Sequence, residues 1–174
     1  MKRKFIIGIA GALAVAGATA FGATSLVQAS ENNPVQLADG HKAAAVKERQ
    51  QTMKEVGANM KVLAGFVKDS KGTAAEAEAA ANKIGALAKT IPAVFKVEAT
   101  LDEMDAVGKN RSKPEIWMNW DGFVKRAGVL EQESVKLAGV IKGGDAAAIG
   151  AAFGAFGKEG CGGCHKDFRG PKPE

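Results

Sequence analysis

The chain has no tyrosine, and among its 174 residues it holds only two cysteines, two histidines and two tryptophans. Two cysteines cannot build a disulfide-dense scaffold. Long hydrophobic runs are also lacking. Only Phe5 to Val27 stays uncharged over a membrane's width, which excludes a polytopic membrane protein. No stretch alternates apolar and polar residues as a half-buried strand does, and no Asn-Gly or Asp-Gly pair separates apolar runs. No basic run interleaved with aromatics is present, so nucleic acid has no support as a partner. What is there is globular in composition, with 46% apolar and 25% charged residues. Abundant alanine with few β-branched residues favours helix.

The first segment reads as an address. Met1-Lys2-Arg3-Lys4 is positive, an uncharged run follows, and Val27-Gln28-Ala29 offers a signal-peptidase site. Residues 1–29 are therefore expected to be a secretory signal peptide cleaved after Ala29, leaving a periplasmic domain over 30–174. If left uncleaved, the run would be a membrane anchor. Its alanine, glycine, Thr19, Thr24 and Ser25 make it weakly hydrophobic for that role. Lys2, Arg3 and Lys4 leave with the segment, so most of the net charge of +5 belongs to it.

Beyond the leader, apolar spacing of three and four recurs. Val46, Arg49, Met53, Val56, Met60, Leu63 and Val67 form a heptad stripe on a helix over Asp39–Asp69. Ala77, Ala80, Ile84, Leu87 and Ile91 form a second stripe. Thr73 and Glu76 make a capping box at its start, and Pro92 marks its expected end. A third runs from Ile116 through Trp120, Phe123, Ala127, Leu130, Ser134 and Leu137 to Ile141. Ser112, Pro114 and Glu115 form its expected start, and Gly143-Gly144 its stop. Asp145 caps a fourth, with Ile149, Phe153, Phe156 and Gly160 on one face. Residues 93–111 are the longest connection, with a helical turn expected around Leu101–Val107. Four amphipathic helices predict an all-α, antiparallel four-helix bundle in up-down-up-down order.

Near the C-terminus the chain reads Cys161-Gly162-Gly163-Cys164-His165. C-x-x-C-H is the attachment motif of a c-type haem. On a helix these three side chains share a face, so two thiols can form thioethers while the imidazole becomes the proximal iron ligand. Gly162 and Gly163 leave the porphyrin edge unobstructed. A zinc site would need four ligands, and the other histidine is His41. A thioredoxin-like motif belongs at a strand-to-helix junction, which an all-helical chain lacks. A plain disulfide in an exported, haem-free bundle is the remaining reading. The expected cofactor is one covalently bound haem c, attached near the C-terminus of the last helix.

The sixth iron ligand separates the functions. Met53, Met60, Met104, Met118 and His41 are the candidates. Met53 and Met60 share the apolar stripe of the first helix, about 10 Å apart along its axis, so at most one reaches the iron. A peroxidase would need distal acid–base groups, which a stripe of methionine, valine and leucine does not supply.

A bundle with C-x-x-C-H at the end of its last helix resembles the cytochrome c-prime family, the class II c-type cytochromes. The resemblance is strongest over Val46–Met60, over Pro114-Glu115-Ile116-Trp117, and over Cys161–His165 with Phe168-Arg169. In that family the residue at the position of Met53 faces the iron, and the low-spin five-fifty-six type carries a ligating methionine there. The resemblance therefore implies His165/Met53 ligation, Arg49 near a haem propionate and Arg169 beside the proximal imidazole. The implied function is periplasmic one-electron transfer with redox proteins of an electron-transport chain as partners, not enzymatic turnover. A five-coordinate, high-spin protein binding nitric oxide or carbon monoxide is the alternative. Monomer and homodimer are both compatible with the family.

Overall fold

The computed structural model describes residues 39–103 and 110–172. The leader 1–29, Met104 and most of the turn expected at 101–107 lie outside the described residues. Helix α1 spans Asp39–Asp69 and α2 spans Ala74–Val94. After a 3-10 turn at Leu101–Glu103 come the short α3 over Glu115–Met118 and α4 over Trp120–Gly143. The last rod is composite: α5 over Ala146–Ala155, a π-helical turn over Phe156–Gly162, and α6 over Gly163–Phe168. Among the described residues there is no strand, and none of the helices is long and apolar enough to cross a membrane.

The helices close a ring in chain order. α1 packs on α2, α2 on α4, α4 on the last rod, and α5 back on α1. This is the antiparallel up-down-up-down bundle that the four stripes predict. Ile84 of α2, Leu137 and Ile141 of α4, Ile116 of α3 and Phe156 are fully buried in its core. Each such aliphatic side chain contributes roughly 1.5–3 kcal/mol relative to exposure.

The ends of the helices follow local chemistry. Thr73 and Glu76 form the complete capping box: the Thr73 hydroxyl accepts from the Glu76 amide, and the Glu76 carboxylate accepts from the Thr73 amide at 2.7 Å. Asp145 Oδ1 accepts from the Ala148 amide at 2.6 Å and starts α5. Gly144 ends α4 with φ +76°, a left-handed turn that favours a residue without Cβ.

Three boundaries depart from the sequence reading. α2 runs two residues beyond Pro92, because proline lacks only its own backbone donor and the Phe95 amide still donates to the Ile91 carbonyl at 3.1 Å. The third helix is broken at Asn119, whose side chain caps α4 by accepting from the Gly122 amide. The capping box expected from Ser112 and Glu115 does not form. Glu115 pairs with Lys113 at 3.2 Å, and Ser112 is drawn into the core by backbone pairing with Arg169.

Candidate haem site

One end of the bundle is not filled by side chains. A half-open cavity of about 520 Å³ separates α1 from the C-terminal rod, within the range of about 300–1,000 Å³ typical of ligand sites. The wall on α1 is the upper part of the predicted stripe: Val46, Arg49, Met53, Val56 and Met60, joined by Gln50 and Gly57. Facing it are Cys161, Cys164, His165 and Phe168. Ile91, Phe95, Ile116 and Phe123 make an apolar floor. Phe123 stacks edge-on against Phe168 and tilted against Phe95, with centroids 5.3 and 5.0 Å apart, which stiffens it.

Antiparallel packing sets which residues are level across the cavity. Met60 reaches toward Gly157: a Cβ on that glycine would lie 4.0 Å from the Met60 methyl. Seven residues back along α1 is Met53, and seven residues on along the rod is Cys164. Seven residues of α1 rise about 10 Å, and the π turn on the rod rises less over the same count, so the antiparallel register carries Met53 past Cys164 toward the His165 end of the motif. Met118 is 82% exposed and His41 is exposed, so neither belongs to the cavity.

Burial shapes the chemistry of the motif. It pushes the Cys164 thiol up to about 11, with Arg126 partly opposing, and raises Cys161 as well. Both therefore stand as neutral thiols near neutral pH. Burial, with Arg169 and Arg111 adding repulsion, lowers His165 to about 4. Its imidazole is neutral over the physiological range, which is the metal-binding form.

The two arginines named from the sequence both line the cavity. Arg49 lines the polar end of the cavity but is only 3% exposed. Its guanidinium donates to the carbonyls of Val94, Ala99 and Val97 and to the Ser112 hydroxyl, and lies over the Phe95 and Trp117 rings. It fastens the long connection onto α1. Arg169 follows the last residue of α6 with an extended backbone, and its amide still donates to the His165 carbonyl at 3.3 Å. It still lines the cavity, exposed at its edge.

Sequence reasoning missed Asn110 and Arg111. Arg111 donates to the carbonyls of Gly170 and Pro171, and its own carbonyl accepts from the Gly170 amide at 2.8 Å. With the Ser112–Arg169 bridge, this straps the tail of the haem motif to the connection. The polar run Asn110-Arg111-Ser112-Lys113 ahead of Pro114 was the available signal. Gly163 also has a reason the motif alone does not give. Its Cβ position lies 3.0 Å from an Arg126 nitrogen, and Arg126 pairs with Asp167 at 3.6 Å behind the motif.

The residues present fit a covalently held haem. Two thiols and a neutral imidazole share one wall of an apolar cavity, and guanidinium groups gather at one end, where carboxylates find partners.

Comparison with known proteins agrees. The family model for cytochrome C' matches residues 44–169. A cytochrome c' from Pararhodospirillum photometricum is 34% identical over 126 residues, covering 72% of this chain and 96% of that one. A cytochrome c-556 from Agrobacterium tumefaciens (strain II Chrys) is 32% identical over 128 residues, covering 73% of this chain and 98% of its own. A solved cytochrome c' with an unusual ligand-controlled dimer dissociation superposes with a TM-score of 0.64 and 30% identity, over 75% of this chain and 97% of that chain. Covalently bound haem c is the cofactor of these proteins, and the present chain belongs to the cytochrome c' family.

Proposed function

We propose that the protein is an exported, periplasmic one-electron carrier with His165 and Met53 as axial ligands of its haem iron. The observation that carries this reading is the register of the cavity. Among the described sulfur and imidazole candidates, Met53 and Met60 line it, and the antiparallel register from the Met60–Gly157 approach favours Met53 over Met60 at the His165 end. The bound haem supplies a ferric–ferrous couple.

The chain's own residues set the rest. Cys161 and Cys164 hold the group by thioethers. His165, kept neutral by burial, presents a lone pair from the proximal wall. Met53 presents a neutral sulfur from α1, and methionine ligation raises the potential relative to two histidines. Ile91, Phe95, Ile116 and Phe123 exclude water, which disfavours the extra ferric charge in the same direction. Arg49, Arg111 and Arg169 supply positive charge at the polar end, where haem propionates would be held. Residues 1–29 act as the cleaved export signal. The oligomeric state is monomer or homodimer, the latter in line with the dimer of the solved relative.

The alternative is a high-spin protein that binds nitric oxide or carbon monoxide. It draws on the absence of a distal acid–base group from the α1 wall among the described residues. Visible and near-infrared spectra of the holoprotein, oxidised and reduced, beside Met53→Ala decide. A low-spin ferric spectrum with a sulfur-to-iron charge-transfer band that vanishes in the variant supports the carrier. A high-spin spectrum, unchanged by the substitution and shifted by nitric oxide, overturns it.

A further inference from the structure

The residues lining the cavity divide by exposure. Phe95, Ile116, Phe123 and Phe168 are buried, whereas Gln50, Met53, Gly57 and Met60 on α1 and Gly157, Cys161, Cys164 and His165 on the rod are partly exposed. The open edge of the cavity is therefore the cleft between α1 and the π–α6 segment. Two glycines, Gly57 and Gly157, line the cavity there without side chains to cover it.

Lysines line that edge. Lys47, Lys54 and Lys61 directly follow the cavity residues Val46, Met53 and Met60, about 100° round the helix, just past Gln50 and Gly57. Heptad spacing places them in one row along α1. All three are exposed, and none makes an ion pair among the described residues. Glu48 and Glu55 lie on α1 a further 100° or so round, away from the cleft. Across the cleft, Lys158 and Lys166 are exposed on the rod, the former 3.4 Å from Glu159. On the α4 side, away from the cleft, Lys89 pairs with Glu131 and Lys136 with Glu133, whereas Lys125 and Lys142 are exposed without an ion pair among the described residues.

We propose that the α1 lysine row is a docking surface for a redox protein presenting an acidic patch, which it seats over the open edge of the haem cavity. The proposal rests on the electron-carrier reading. Uncompensated charge of one sign beside a low-dielectric cleft concentrates oppositely charged partners there and raises encounter rates. The small excess of positive charge on the whole chain does not provide this. The placement of unpaired lysines does.

The test uses haem-loaded protein, Lys54→Glu/Lys61→Glu, and a control with the same charge change on α4, Lys136→Glu/Lys142→Glu. Oxidation of the reduced protein is timed with ferricyanide, an anion, and with tris(phenanthroline)cobalt(III), a cation. In each case the reagent takes one electron and the haem iron passes from ferrous to ferric. The α1 variant is expected to react about tenfold more slowly with ferricyanide and faster with the cobalt cation, converging at high salt. The control should move by less than about twofold. Equal effects in both variants, or none in either, would overturn the docking surface. Carbodiimide coupling of a glutamate-rich dodecapeptide to wild type should label Lys47, Lys54 and Lys61 ahead of Lys136 and Lys142, whereas uniform labelling would overturn the acidic-partner assignment. An unchanged potential and spectrum in the lysine variants confirm that the site itself is intact. A high-spin wild-type spectrum would instead sink the carrier reading, independently of these rates.

Discussion

The α2–α4 half of the bundle and the α1–rod half are built from the same apolar spacing and serve different purposes. Along α2, Ala77, Ala80, Ile84, Ala88 and Ile91 are buried, packed chiefly on Phe123, Ala127, Leu130, Leu137 and Ile141. Along α1, Met53, Val56 and Met60 repeat with the same period but are only partly buried, because they face a cavity. A heptad stripe says that a face is apolar. It does not say whether the face meets protein or a cofactor. The partly buried stretch is the signature of the second case, and it becomes visible only when the helices are placed.

That contrast can be tested from both sides. The largest effect is expected from Cys161→Ser/Cys164→Ser, which removes covalent haem altogether. The mass of the denatured chain should then be that of polypeptide alone, and retention of haem after denaturation would undo the attachment assignment. In the packed half, Ile84→Ala opens a cavity in a site with no exposure. It should cost about 2–5 kcal/mol in denaturant titration of the holoprotein, with the haem spectrum unmoved. On the cavity wall, Met60→Leu keeps the volume. It should cost less than about 1.5 kcal/mol and leave the ferric spectrum unchanged. A lost sulfur-to-iron band in that variant would transfer the ligand role from Met53 to Met60. The smallest change is Thr73→Ala, which removes the cap of α2. A loss of about 1 kcal/mol with no spectral consequence is expected, and a spectral shift would show the two halves to be coupled.

Much of the fold was legible because its signals are local. The bounds of α1, the Thr73–Glu76 box, the Gly144 stop and the Asp145 cap each follow from residues within a turn of one another. What escaped depends on partners distant in sequence. The break at Asn119 is the exception: its cap on Gly122 is local, but the apolar stripe running on through it masks the signal. Arg49 satisfies carbonyls of the connection some 45–50 residues away. Arg111 meets the tail 59 residues on. The site divides in the same way. The C-x-x-C-H motif is a local pattern and points to its own residues, whereas Met53 is singled out only through the family resemblance, and that it lines the same cavity depends on how the helices pack. The π turn had only glycine density at Gly157, Gly160 and Gly162 to announce it.

The two cysteines on the cavity wall have a consequence for how the protein survives dilution. A cofactor held by ligation alone contributes stability only while its free concentration exceeds its dissociation constant. Dilution then strips it, and the half-built end of the bundle collapses or opens. Bonded to Cys161 and Cys164, the group belongs to the same molecule as the walls it fills, so its local concentration is fixed by geometry and not by supply. The cavity end of this bundle therefore keeps its filling at any dilution, which no arrangement of His165 and a methionine could ensure by themselves.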